Sequence, residues 1–318
     1  MSLYQLVKQL LIRGIIRQGY SMIKQSRLQE NSYVYIYQNQ PKHPKFGVFI
    51  IHGMAEHGLR YQRFMEVLEK QDILAITMDL RGHGKSLRPT QEVGILNKSD
   101  DFHNILDDIY DAIKDAQKKH PEVHWTLMGH SMGSIFARAF ALKYKNTVDK
   151  MIWMGTLPYF SRFKIKLIRR LIGFVSLFYS HPKRNQILSF LLNHPLEKKY
   201  PGGAFHWLSK NPLNVDDYIS DPLSGYVYNS TFYQWFFKLI EEVNQPKAFQ
   251  DTLLKSVAII AGTGDPVIGS TEKIKELMSY YKDVKTSYYF VPQARHEVLN
   301  EGLSEVDDWL MEVIKDER

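Results

Sequence analysis

The sequence predicts an α/β fold: a mostly parallel central sheet flanked by helices, with a helical cap inserted after a sheet strand. Three observations carry this. Short β-rich apolar runs alternate with stretches of helical periodicity, as in parallel sheets joined by crossover helices. The alternation stops after Gly155 and resumes near residue 256. Before the break, "TLMGHSMGSIFARAFAL" (126–142) places a serine between two glycines where an apolar run gives way to a helix-like one.

The elements follow in order. "SYVYIYQ" (32–38) reads as an early strand, and "KFGVFIIHG" (45–53) as a buried strand ending in a turn. "RYQRFMEVLEK" is helical, and "ILAITMDLRGHGKS" is a second buried strand running into a Gly-rich loop. "SDDFHNILDDIYDAIKDAQKKH" is a long amphipathic helix, with Ser99 or Asp100 as its expected N-cap. The Ser131 strand and helix come next, then "DKMIWMG" (149–155) as a further strand. After the interruption come "SVAIIAGTGD" (256–265), a helix around 271–282, "VKTSYYFVP" (284–292) and a last helix in "LSEVDDWLMEVIKD". The expected organisation is an N-terminal amphipathic extension (1–20), a sheet-centred core (21–156 with 246–318) and a helical cap (157–245).

Composition narrows the function classes. The 318 residues are 44% hydrophobic, enough for a large core. With no cysteine, disulfide frameworks, thiolate nucleophiles and thiolate zinc sites are excluded. No run of eighteen apolar residues appears, so no membrane-spanning helix is expected. The N-terminus lacks the basic, apolar, small-residue order of a signal peptide, and the expected location is cytoplasmic. The net charge of +7 is uneven: residues 157–200 carry +8 and residues 1–30 carry +4, leaving −5 elsewhere. Positive charge confined to two segments argues against a nucleic-acid-coating surface.

Gly129 and Gly133 flank Ser131 at minus two and plus two. This is G-x-S-x-G, a sharp strand-to-helix turn that exposes a nucleophilic serine. A serine at a helix start is otherwise only a cap, so the reading needs a base, an acid and an oxyanion hole. In this architecture they follow in the order Ser, Asp or Glu, His. Asp265 ends a strand in "IIAGTGDPVIGS", and His296 lies in the loop after the next strand in "VPQARHEVLNE". The 31-residue interval fits one strand–helix–strand step. Alone, Asp265 before Pro266 suits a turn, and His296, one of twelve histidines, suits a loop or cap. Both in order, each at a strand's carboxyl end, point to a reaction centre. The oxyanion hole needs two aimed backbone N–H groups. The N–H of Met132, after the nucleophile, is one; "IIHGMAEHG" offers the other at Met54. His52, His57 and His83 are read as scaffolding.

"HGMAEHGLRY", "DLRGHGKS", "GHSMGS", "GTGDPV" and "RHEVLNE" together resemble the monoacylglycerol lipase and lysophospholipase group of α/β-hydrolases, the serine-aminopeptidase-like or Hydrolase_4 superfamily. The resemblance spans roughly residues 30–317 around a divergent insertion, whose "DPLSGYVYN" is similar to bacterial lysophospholipase-like members. It implies the α/β-hydrolase fold, Ser131 as nucleophile, Asp265 as acid, His296 as base, and Met54 and Met132 as oxyanion donors. It implies a serine esterase acting on single-acyl-chain lipids through an acyl-enzyme, with no metal or organic cofactor.

In "YFSRFKIKLIRRLIGFVSLFY", Phe160, Phe163, Leu167, Leu171, Phe174 and Phe178 recur at steps of three and four, with Arg162, Lys166, Arg169 and Arg170 on another side. That is a basic amphipathic helix. It suits a cap packed on the core, or a lid facing an anionic membrane surface. The N-terminal "LYQLVKQLLIRGIIRQ" has similar chemistry, with membrane contact, docking on protein and disorder all open. The insertion aromatics Phe205, Trp207, Tyr226, Phe232, Trp235 and Phe236 suit an acyl tunnel or the core. A small-ester carboxylesterase, a peptidase and a non-catalytic binding protein on a hydrolase scaffold remain as alternatives.

Overall fold

The computed structural model describes residues 21–26, 33–148, 150–179, 183–245, 254–281 and 284–316. The N-terminal amphipathic pattern and the expected extension 1–20 lie outside them. Among the described residues eight strands form one sheet in the order β1-β2-β4-β3-β5-β6-β7-β8. These are β1 (Ser21–Ser26), β2 (Tyr33–Gln38), β3 (Phe46–Ile51), β4 (Leu74–Met78), β5 (His124–His130), β6 (Lys150–Met154), β7 (Ser256–Gly262) and β8 (Lys285–Val291). β1 and β2 are antiparallel to their neighbours; the rest of the sheet is parallel. The polar "SMIKQS" of β1 carries no strand pattern. Its six-residue pairing with β2 makes it a strand, which is why only the second member of this pair was legible.

Alternation along β3 sorts the two faces of the sheet. Val48 and Ile50 pack with Phe64, Met65 and Leu68 of α1 (Gln62–Lys70) and Leu310 of α9 (Ser304–Lys315). Phe49 and Ile51 pack with Ile105 of α2 (Phe102–Lys119), Ile135 of α3 (Met132–Lys143) and Ile274 of α8 (Thr271–Ser279). Strands buried on both faces read as continuous apolar runs, as "VFII" does.

The N-cap of α2 is Asp101, a correction to the expected Ser99 or Asp100. The Asp101 carboxylate accepts the His103 and Asn104 N–H groups. Asp100 is fully buried and pairs instead with Arg88 and the Asn97 N–H, so it is not free to cap.

Between β6 and β7 the chain forms α4 (Arg162–Ser176), α5 (Gln186–Lys199), α6 (Pro212–Ser220) and α7 (Ser230–Val243). Asn185, Asn211 and Asn229 cap the last three, each side chain accepting an N–H of the first turn. On α4 the predicted apolar stripe does not face the protein. Ile165 and Ile172 are buried, whereas Phe163 is 79%, Leu167 57% and Phe174 60% exposed. The helix has apolar residues on two sides, so periodicity alone could not choose between them. The side packed on α7 carries the isoleucines, and Arg169 of α4 reaches Glu241 of α7.

Candidate active site

Ser131 ends the turn from β5 into α3 with φ 51° and ψ −116°, a strained conformation for a residue with a side chain. The neighbours enforce it. The Ser131 N–H donates to the Met154 carbonyl at 2.8 Å. A Cβ at Gly129 would lie 2.3 Å from the Gly133 carbonyl oxygen, and one at Gly133 would lie 2.2 Å from the Ile51 oxygen. Only hydrogen fits at either position, so the two glycines let β3, β5 and α3 meet backbone to backbone. Ser131 makes no capping bond within its own helix.

Asp265 follows β7 and His296 follows β8. Both are nearly fully buried, and His296 Nδ1 lies 2.8 Å from Asp265 Oδ2. The other carboxylate oxygen accepts the Val267 N–H at 2.8 Å. With Nδ1–H donated to the carboxylate, the imidazole keeps a free lone pair on Nε2. Gly155, at φ 56°, makes room for this pair: a Cβ there would lie 3.0 Å from the His296 ring and 3.3 Å from Asp265 Oδ2. Ser131 and His296 line one cavity together with Met54.

The loop after β3 holds the Gly53–Met54 peptide in one orientation. His52 Nε2 accepts the Leu80 N–H at 3.0 Å, which leaves the proton on Nδ1 for the Gly53 carbonyl at 2.8 Å. Burial lowers the His52 pKa and keeps the ring neutral. In a trans peptide the N–H points opposite the carbonyl, so anchoring the Gly53 oxygen also aims the Met54 N–H. The Met132 N–H belongs to the first turn of α3, where no intrahelical acceptor exists.

Sequence reasoning missed a buried charge network joining these loops. Glu56 accepts from the Gly53 N–H, the Tyr61 hydroxyl at 2.9 Å and Arg60 Nε at 3.1 Å. His130, next to Ser131, places Nδ1 3.3 Å from Glu56 and Nε2 3.3 Å from the His296 carbonyl. Arg60 also donates to Glu297, next to His296, at 2.8 Å. Burial alone would raise the Glu56 pKa, but the bond and charge of His130, with Arg60, hold it well below the carboxylate range. Burial opposes a charged His130, and Glu56 outweighs it and raises the pKa. The signal was present as the H-G-x-x-E-H-x-x-R-Y spacing, which sets Glu56 and Arg60 four residues apart.

The other predicted scaffolding histidines pair as follows. His57 Nε2 meets Asp221 of the insertion at 2.7 Å. His83 Nε2 meets the Tyr228 hydroxyl at 2.8 Å. Of the six aromatics considered for an acyl tunnel, Phe205, Trp207 and Tyr226 line the cavity. Phe232, Trp235 and Phe236 instead pack in the main core, because α7 turns that face onto α3 and α4. Among the described residues no group of three or more His, Asp or Glu side chains is placed to hold a metal ion, and no helix is long and apolar enough to cross a membrane.

Comparison with known proteins agrees with this fold. A monoglyceride lipase of Rattus norvegicus is 24% identical over 273 residues, covering 84% of this chain and 82% of its own. A thermostable carboxyl esterase from Bacillus coagulans superimposes with a TM-score of 0.79 at 20% identity, over 93% of this chain and 98% of its own. A soluble variant of the Saccharomyces cerevisiae monoglyceride lipase, solved with a substrate analogue, gives 0.70 at 17% identity, over 94% and 97%. The family model for Hydrolase_4, serine aminopeptidase S33, matches residues 42–302. A strained serine at a strand-to-helix turn, a buried His–Asp pair beside it and a family match across most of the length lead to one conclusion: the chain belongs to the Hydrolase_4 (serine aminopeptidase, S33) family of α/β-hydrolases and is a serine hydrolase.

Proposed function

We propose that the protein hydrolyses carboxylic esters of single-acyl-chain lipids, monoacylglycerols or lysophospholipids, through an acyl-enzyme on Ser131. The observation that carries this reading is the shared cavity of Ser131 and His296, with His296 Nδ1–H held by Asp265. His296 Nε2 takes the Ser131 proton as Oγ attacks the ester carbonyl, and Asp265 stabilises the imidazolium. The N–H groups of Met54 and Met132 receive the developing oxyanion. The alcohol leaves with a proton from His296, and water, activated by the same ring, releases the acid. The relatives named as monoglyceride lipases, and the apolar Phe205, Trp207 and Tyr226 in the cavity wall, favour a lipid acyl chain.

In this reading residues 157–245 form a cap over the strand ends. The cavity volume is about 50 Å³, room for a few waters but not for a long acyl chain. A lipid therefore enters only when the cavity wall opens, and Ser189, Leu192 and Asn193 of α5 are part of that wall. The same small volume favours a second reading, a small-ester carboxylesterase. Rates on p-nitrophenyl esters of increasing chain length separate them: the lipid reading expects a maximum at eight carbons or more, and a maximum at acetate would end it. Monoacylglycerol and lysophosphatidylcholine assayed side by side then give the head group.

Phe163, Leu167, Phe174 and Phe190 are exposed on α4 and α5, and Lys164, Lys166 and Arg170 are exposed on α4 among them. An apolar stripe edged by cations suits the surface of an anionic bilayer. Co-sedimentation is expected with phosphatidylglycerol vesicles and not with phosphatidylcholine alone, and Phe163→Ser with Phe174→Ser should reduce it several-fold. Equal recovery in the supernatant with both vesicle types would exclude membrane contact by this face.

A further inference from the structure

We propose that the Tyr218–Tyr228 stretch of the insertion is a working part of the reaction centre: it grips both peptide groups of Ala55 and so positions the Met54 N–H. This rests on the reading of Met54 as an oxyanion donor.

Ala55 has φ 53°, a left-handed conformation that a residue with a Cβ keeps only when its surroundings impose it. Its imposed partners come from the insertion, more than 160 residues away. The Ala55 N–H donates to the Tyr228 hydroxyl at 2.6 Å. The Ala55 carbonyl accepts the Gly225 N–H at 2.9 Å and the Tyr218 hydroxyl at 2.9 Å. Met54 thus stands between two anchors. On its N-terminal side the core holds Gly53 through His52 and Glu56. On its C-terminal side the insertion holds Ala55.

The Tyr228 hydroxyl is itself fixed by a chain of single-sense hydrogen bonds. His83 Nδ1 lies 2.9 Å from the Arg81 carbonyl, which can only accept. The Nδ1 proton is therefore spent there, and Nε2 accepts from Tyr228 at 2.8 Å. Burial and the neighbouring His52 lower the His83 pKa to about 3, so the ring has no second proton to offer. With its proton given to His83, the Tyr228 oxygen is an acceptor for the Ala55 N–H. The Tyr228 ring stacks on Phe232 at 3.5 Å and 9°, which removes its remaining freedom.

The base loop is strapped by the neighbouring stretch in the same way. The Glu297 N–H donates to the Leu208 carbonyl at 2.7 Å, and Arg295 donates to the Ser209 carbonyl at 3.0 Å. The insertion therefore has two parts. Residues 206–228 are bonded to the loops that carry Met54 and His296, while α4 and α5 carry most of the exposed large apolar residues.

The test is Tyr228→Phe, which keeps the ring stack and removes only the hydroxyl, alongside Tyr218→Phe. With p-nitrophenyl butyrate, Tyr228→Phe should lower kcat roughly 10–100-fold, less than the ~10²–10³ of losing an oxyanion donor outright because the N–H is misaimed and not removed, with KM within about twofold. Affinity for an alkyl trifluoromethyl ketone, whose carbonyl carbon bonds to Ser131 Oγ and whose oxygen becomes the oxyanion, should fall by the same factor. The pH profile of kcat/KM should keep its midpoints, since His296 is untouched. Tyr218→Phe should show a smaller loss of the same kind, because Gly225 still holds the carbonyl. Unchanged kcat in folded Tyr228→Phe, a loss confined to KM, or a shifted pH midpoint would overturn the proposal. If Tyr228→Phe does not fold, Tyr218→Phe decides by the same readings. Failure of the Ser131 reading looks different: the unaltered protein would neither hydrolyse the ester nor be labelled by a fluorophosphonate.

Discussion

Ser131→Ala is expected to remove ester turnover, lowering kcat by roughly 10⁶, the loss seen when a serine nucleophile is deleted. The melting temperature should hardly move. Alanine keeps the Cβ that already sits at φ 51°, so the backbone strain is the same before and after. The N–H bond to Met154 and the glycine contacts are backbone features and persist. No helix cap is lost, because the Ser131 side chain caps nothing. Fluorophosphonate labelling should vanish with activity. Labelling of the alanine variant would mean that another residue is the nucleophile.

Asp265→Asn is expected to lower kcat by roughly 10⁴ while leaving the fold intact. The reason is the direction of two hydrogen bonds. Asp265 accepts from both the His296 Nδ1–H and the Val267 N–H. Asparagine has one oxygen, and the Val267 amide has no alternative but to claim it. The NH2 group then faces His296 Nδ1 and forces the proton to Nε2, the atom that must accept from Ser131. The side chain is isosteric and its surroundings are closed, so the thermal transition should shift little. Activity within tenfold of the unaltered protein would mean that Asp265 does not orient the base.

The strands were legible because they are buried on both faces: "VFII" and "AIIAG" are apolar throughout and end in glycine-bearing turns. The proposed reaction-centre residues stand out in the sequence because their pattern is local, a serine between two glycines and acid and histidine at strand ends. What sequence could not resolve depends on partners far along the chain. β1 is a strand only by pairing. The outward side of α4 is decided by α7, not by its own period. The cap of α2 moved by one residue because Arg88, twelve positions earlier, takes the Asp100 carboxylate. Glu56 and Arg60 stood in plain view in a motif, but their work appears only when His130 and Glu297 are brought beside them.

The contact at Gly133 has a mechanical corollary. Because its α-carbon touches the Ile51 carbonyl with no room for even a methyl group, the nucleophile's helix and the strand leading to Met54 behave as one solid piece, like the fixed jaw of a vice. Adjustment to a longer or bulkier ester must then come from the opposite jaw, so selection for new substrates should accumulate changes at Leu192 and Asn193 of α5 and at Phe205 and Tyr226 and leave these glycines alone.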